Sequence, residues 1–251
     1  MLRRLVPLAA AFVIALSGGS YAASELALLS RSLIQGPARA VAFSGDDIII
    51  GTGCGIAILR GGDALRNPAY LPLEGDPGDI VANGSLAYVA ASTGGLVVLD
   101  ISDPGAPKET FRYEAIRAER CALAGSTLFV ADAQSRLYIF DCAEPREPRF
   151  REMKQLDSPV FSLAADGDLL AIIHPAKTSI YRVAQGGAMR KLSEAAPGNN
   201  SKNRSDTRIP RDAKKGILRR GVLFILTSTA EVLCWDLGRP ERPVPLKPIN
   251  V

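Results

Sequence analysis

A unit of about forty residues recurs five times along this chain, and that repeat restricts the possible folds more than any other feature. Each copy holds an apolar strand, a Gly-centred turn and a second apolar strand. The first strands and turns fall at residues 41–45, 80–84, 121–125, 163–167 and 217–221. The turn residues Gly45, Gly84, Gly125, Gly167 and Gly221 are 39, 41, 42 and 54 residues apart. Glycine accepts the positive φ that a tight hairpin needs, so the recurrence marks a repeated hairpin tip.

The strand after each turn is rich in β-branched and aromatic residues, at 48–50, 87–89, 128–130, 171–173 and 223–225. A third strand is expected at 56–59, 96–99, 137–140, 179–181 and 232–235. It ends in Asp100, Asp141 and Asp236 in three copies, with Arg60 and Arg182 in the other two. Pro68, Pro107, Pro148 and Pro243 then introduce a fourth strand; the fourth copy has no such proline near Met189. Proline lacks an N–H donor and so belongs at the start of an outer edge strand. Near-continuous apolar runs, without clean alternation, imply strands covered on both faces. Such units stay dry when arranged radially, which predicts an all-β propeller of about five four-stranded blades. A β-sandwich of regularly spaced strands is the competing fold.

Residues 86–103 (LAYVAASTGGLVVLDISD) and 127–144 (TLFVADAQSRLYIFDCAE) resemble the LVIVD repeat of bacterial exported propellers. The resemblance extends over most of residues 36–251, with the first, fourth and fifth copies degenerate. It implies a propeller and no particular activity, because that family shares its blades and not a site. Arg60 and Arg182 depart from the Asp of the repeat.

Ahead of the repeats, Arg3 and Arg4 precede a short apolar run at 5–16, and Ser20-Tyr21-Ala22 reads as a small-x-small cleavage signal. Residues 1–23 are therefore expected to be a signal peptide. The run is shorter than the roughly 20 residues of a membrane span, so none is expected once the signal is removed. The remaining 24–251 form one propeller domain destined for the periplasm or secretion. Within it, residues 26–34 look like a further outer strand. Such a strand would clasp the ring by pairing with the final blade; otherwise the ring closes through another chain.

One His and four Cys without a CxxC pair argue against metal cages, and no cofactor or metal is implied. The cysteines are expected to be mostly unpaired and buried, since Cys121 and Cys142 fall at opposite ends of a blade. Asp76 and Asp79 lie in a Gly- and Pro-rich link without the D-x-D-x-D pattern of a calcium loop, which favours an ordinary turn.

In a propeller the loops between second and third strands share a face with the links between blades. That face is the expected binding surface, and it collects Asp132, Arg136, His174 and Lys177. The longer fourth spacing adds a polar, charged insertion at 198–215. Residues 201–220 carry Lys202, Arg204, Arg208, Arg211, Lys214, Lys215, Arg219 and Arg220 against Asp206 and Asp212, a local +6 that exceeds the whole chain's +4. The insertion suits an envelope protein or an anionic polymer. Its lack of aromatics, together with export, argues against nucleic acid. The leading expectation is a non-enzymatic protein- or ligand-binding scaffold. The alternative is a propeller enzyme (hydrolase, lyase or dehydrogenase) with its site at the axial opening. No G-x-S-x-G elbow supports a serine triad around His174.

Overall fold

A computed structural model describes residues 36–60, 68–175, 177–195, 213–227 and 231–250. Strands come in successive groups of four. Blade 1 is β1 (Ala38–Ser44), β2 (Asp47–Thr52), β3 (Gly55–Leu59) and β4 (Ala69–Pro72). Blade 2 is β5 (Asp79–Asn83), β6 (Leu86–Ala90), β7 (Leu96–Asp100) and β8 (Lys108–Tyr113). Blade 3 is β9 (Arg120–Ala124), β10 (Thr127–Ala131), β11 (Arg136–Asp141) and β12 (Arg149–Gln155). Blade 4 is β13 (Ser162–Asp166), β14 (Leu169–Ile173), β15 (Thr178–Val183) and β16 (Met189–Ala195). Blade 5 is β17 (Ala213–Arg219), β18 (Val222–Thr227), β19 (Glu231–Asp236) and β20 (Val244–Pro245), with β21 (Ile249–Asn250) also paired to β19.

Each blade is an antiparallel meander in chain order, and the five are set around an axis as a propeller ring. Neighbouring inner strands touch in the order β1, β5, β9, β13, β17. The all-β propeller expected from the repeat is therefore the fold, and the sandwich is excluded.

The hairpin tips explain the spacing of the glycines. In the first four blades the two-residue loop begins with Gly45, Gly84, Gly125 or Gly167, at φ of 57–58°. Positive φ at the first loop residue alone fits a type II′ turn, whose twist matches the flanking strands. Blade 5 differs: Arg220 and Gly221 both have positive φ, which fits type I′. Pro68, Pro107, Pro148 and Pro243 each stand one residue before a fourth strand, where no ladder donor is needed.

The core lies between blades. β6 and β10 are buried along their whole length, because one row of their side chains faces the preceding blade and the other the following one. Arg60 and Arg182 replace the repeat's Asp without breaking the blades. Arg60 pairs with Asp103 of blade 2 at 2.8 Å, and Arg182 lies 3.2 Å from Asp168 in its own blade and 3.8 Å from Glu241 in blade 5.

All four cysteines are free thiols. Cys121, Cys142 and Cys234 are buried, while Cys54 is exposed on a β2–β3 loop. Burial pushes the Cys121 thiol upward and raises that of Cys142 to about 12. Both stay protonated and inert near neutral pH.

Three expectations fall wholly or partly outside the described residues: the signal peptide at 1–23, the strand at 26–34, and most of the insertion. The insertion's end at 215 runs into regular structure, since Ala213, Lys214 and Lys215 already belong to β17. Among the described residues no helix is long and apolar enough to cross a membrane.

Candidate functional site

Among the described residues, loops between second and third strands meet the segments that lead into inner strands on one face, and backbone hydrogen bonds join them. Gly53 N–H donates to Pro37 O at 3.3 Å, Ser92 N–H to Ala118 O at 2.7 Å and Leu156 N–H to Ser135 O at 2.8 Å. This stitching makes the face a preorganised surface, the setting in which loops carry binding groups.

Asp132 closes the β10–β11 turn of blade 3. Its Oδ1 accepts from the Gln134 and Arg136 N–H groups, each at 2.9 Å, and its Oδ2 accepts from Arg136 Nε at 2.5 Å and Tyr138 OH at 3.2 Å. The carboxylate is fully shielded from solvent, and its bond holds the Arg136 guanidinium above its usual pKa. Those four bonds account for the lone pairs of Asp132, so its role is to set the turn.

His174 is buried at the end of β14, with Nδ1 2.9 Å from Pro159 O. Its backbone N–H donates to Lys177 O at 2.8 Å. Burial lowers the imidazole pKa, the Pro159 bond opposing it, which keeps the ring neutral at pH 7. Lys177 Nζ donates to Asp157 at 2.6 Å, a bond that lowers the pKa of Asp157 and raises that of the lysine. Asp132 and Arg136 thus form one local network, and His174 and Lys177 another. Each network ties a loop to its own blade or to the link beside it.

At the axis the structure brings together residues from different blades. Asp79 opens β5, Arg120 opens β9, and Lys215 lies two residues into β17. Asp79 is nearly inaccessible, with a side-chain exposure of 3%. Its Oδ1 takes a hydrogen bond from Lys215 Nζ, reaching over from blade 5, and one from the Ile80 N–H at 3.0 Å. Its Oδ2 accepts from the Cys121 N–H at 3.3 Å. Arg120 adds a second cation, donating from Nε to Phe161 O at 2.7 Å and from Nη1 to Glu119 O at 2.7 Å. Among the described residues no group of His, Cys, Asp and Glu is arranged to hold a metal ion.

This axial bar eluded the sequence reading, which weighed Asp79 for calcium and Lys215 for the insertion. Aligning the copies on their turns would have put both at the start of an inner strand. Lys202, Arg204, Arg208 and Arg211 lie outside the described residues. Lys214 is exposed on β17 beside the axial pair.

Comparison with protein families finds a match over residues 74–115, which include all of blade 2. Blade 2 carries an LVIVD repeat. The blade built on that repeat includes residues 86–103, one of the two segments whose resemblance was noted from sequence. No curated protein sequence matches the chain.

Among solved structures, a functionally unknown protein from Desulfotomaculum acetoxidans superposes with a TM-score of 0.65 at 14% identity, over 86% of this chain and 72% of that one. The Cps50 (Swd1) β-propeller domain of Myceliophteria thermophila gives 0.61 at 12% identity, over 85% and 73%. BamB from Moraxella catarrhalis gives 0.53 at 13%, over 86% and 62%. At these identities the likeness to all three structures is one of fold alone.

Proposed function

We propose that this is an exported, non-enzymatic binding module whose loop-rich face takes an anionic partner, an acidic envelope protein or an anionic polymer, around the axial opening. The observation that supports this reading best is the placement of Lys215. The basic insertion runs directly into β17, and its last lysine sits on the axis with Arg120 nearby and Lys214 exposed beside it. Positive charge gathered at the mouth of a rigid ring draws anions and raises their local concentration.

The test is a chain with Lys202, Arg204, Arg208, Arg211 and Lys214 all replaced by Gln, leaving Lys215 to pair with Asp79. Elution from immobilised heparin and from immobilised polyglutamate is compared with the parent chain. The variant is expected to leave both at markedly lower salt with its melting temperature unchanged. Equal elution overturns the reading. A deletion serving the same purpose has to stop at residue 212, because Ala213 begins a strand.

A further inference from the structure

Blade 3 breaks the repeat at two positions of its outer strand. In blades 2, 3 and 4 the ladder between third and fourth strands shifts register at the same place, so the outer strands align residue by residue. On that alignment Phe150 corresponds to Glu109 and Lys191, and Met153 to Arg112 and Glu194. The two positions hold an ion pair in blade 2, Arg112 to Glu109 at 2.5 Å, and another in blade 4, Lys191 to Glu194. Blade 3 puts an aromatic ring and a thioether there, 44% and 45% exposed. Among the described residues these are the exposed large hydrophobics of blades 2, 3 and 4, the others lying in blades 1 and 5.

Both side chains face blade 2. Phe150 stands opposite Phe140 and Met153 opposite Tyr138, and residues directly opposite in a ladder share a face. Tyr138 and Phe140 belong to the cluster that blades 2 and 3 share. Arg151 is the extra residue at the register shift, which brings two side chains three positions apart to one side. Phe150 stacks on Tyr113 of blade 2, with centroids 6.0 Å apart and planes 16° from parallel, and meets buried Phe140 edge-on at 5.7 Å. The result is an aromatic ledge between the outer strands β8 and β12. β12 is the outermost strand of its sheet, and every residue of it except Lys154 is exposed. Blades 2 and 3 are described throughout, from Asp79 to Gln155.

We propose that this ledge docks an extended acidic segment of a partner protein, laid along the free edge of β12 with its apolar side chains on Phe150 and Met153. An edge strand offers unpaired N–H and C=O groups to a peptide, and apolar ground beside it selects alternate side chains. Aromatic residues, Met and Arg are the types that interfaces favour, and a thioether repacks around an incoming group. Charge sets the sign of the partner, because β8 and β12 carry five Lys and Arg residues against Glu109 and Glu152. Two copies of the chain meeting here would set like charge against like, which disfavours self-association at the ledge. The fold does not call for Phe150 and Met153, since blades 2 and 4 are built with ion pairs in their place. The ledge lies on the outer strands, so it is a surface apart from the axial mouth, where Lys215 belongs to an inner strand.

Fluorescence polarisation of the full chain with three short labelled peptides, each at concentrations where it is monomeric, tests the proposal. The first peptide alternates Glu with Phe, the second has Ser for every Phe, and the third has Lys for every Glu. The parent is expected to bind the first about tenfold more tightly than either control. Phe150→Glu with Met153→Arg gives blade 3 the ion pair of blade 2, and is expected to abolish that preference while the chain stays folded. Met153→Glu, a single change at an exposed position, is expected to weaken the first peptide about fivefold and keeps the test alive should the double variant not fold. Equal binding of the three peptides overturns the proposal, as does an unchanged preference in the variants that fold. A concentration-dependent dimer that these variants dissociate also overturns it, by making a second copy the occupant. So does elution from immobilised heparin that falls in the variants while peptide binding does not, which assigns the ledge to a glycan.

Discussion

Asp100, Asp141 and Asp236 do the same work at the same place in three blades. In each, Oδ1 accepts the backbone N–H two residues on, from Ser102, Ala143 and Gly238 respectively, at 2.7–3.0 Å. This bond fixes the turn that leads towards the fourth strand, a physical reason for an Asp closing the third strand. Asp100 Oδ2 also accepts from Arg146 of blade 3 at 2.7 Å. The hydrogen bond with Ser102, reinforced by Arg146, brings the Asp100 pKa from 3.8 down to about 2. A carboxyl depressed on folding contributes stability above its unfolded value and loses it as pH falls towards the folded one. Asp100→Asn keeps the turn acceptor but removes the titration. Its urea midpoint is therefore expected to fall less than that of the parent between about pH 5 and pH 2. Parallel curves would show that the charge does nothing. Arg60 could be read in the sequence only as a departure from the repeat, because its partner, Asp103, comes from another blade, 43 residues away.

At the scale of elements, most of the fold was legible. The two-residue loops with a leading Gly, the proline one residue before the fourth strand, and continuous apolar second strands are local signals, each tied to one backbone requirement. The glycines separate two such requirements. Gly84 has φ +57° with open space around a would-be Cβ, so Gly84→Ala is expected to cost only the left-handed backbone penalty of about 1 kcal/mol. Gly95 has φ +77° and would place a Cβ 2.2 Å from Tyr113 O, in the backbone of the neighbouring strand. Gly95→Ala is expected to cost at least 3 kcal/mol or prevent folding, since a ladder cannot move aside. Urea denaturation of the pair distinguishes the cases, and equal losses would refute the packing argument. What stayed illegible were contacts between elements far apart in sequence. Asp79 to Lys215 spans 136 residues, and nothing in either local sequence specifies the other.

For the whole molecule, magnitude decides what holds the ring. The exposed ties Arg60–Asp103 and Arg182–Glu241 contribute about 0–1 kcal/mol each, whereas each buried Leu, Ile or Val between blades contributes roughly 1.5–3 kcal/mol. The axial pair is a different case, because Asp79 is buried. Lys215→Met would strand that carboxylate and is expected to cost about 2–4 kcal/mol, while the double variant Asp79→Asn/Lys215→Met recovers much of the loss. Chemical denaturation of the four chains checks this, and simple additivity would show that the two side chains are independent. The same bar has a consequence for traffic. With a side chain from the fifth blade bonded to the second, a guest entering the hub from the loop-rich face meets that bar before anything deeper.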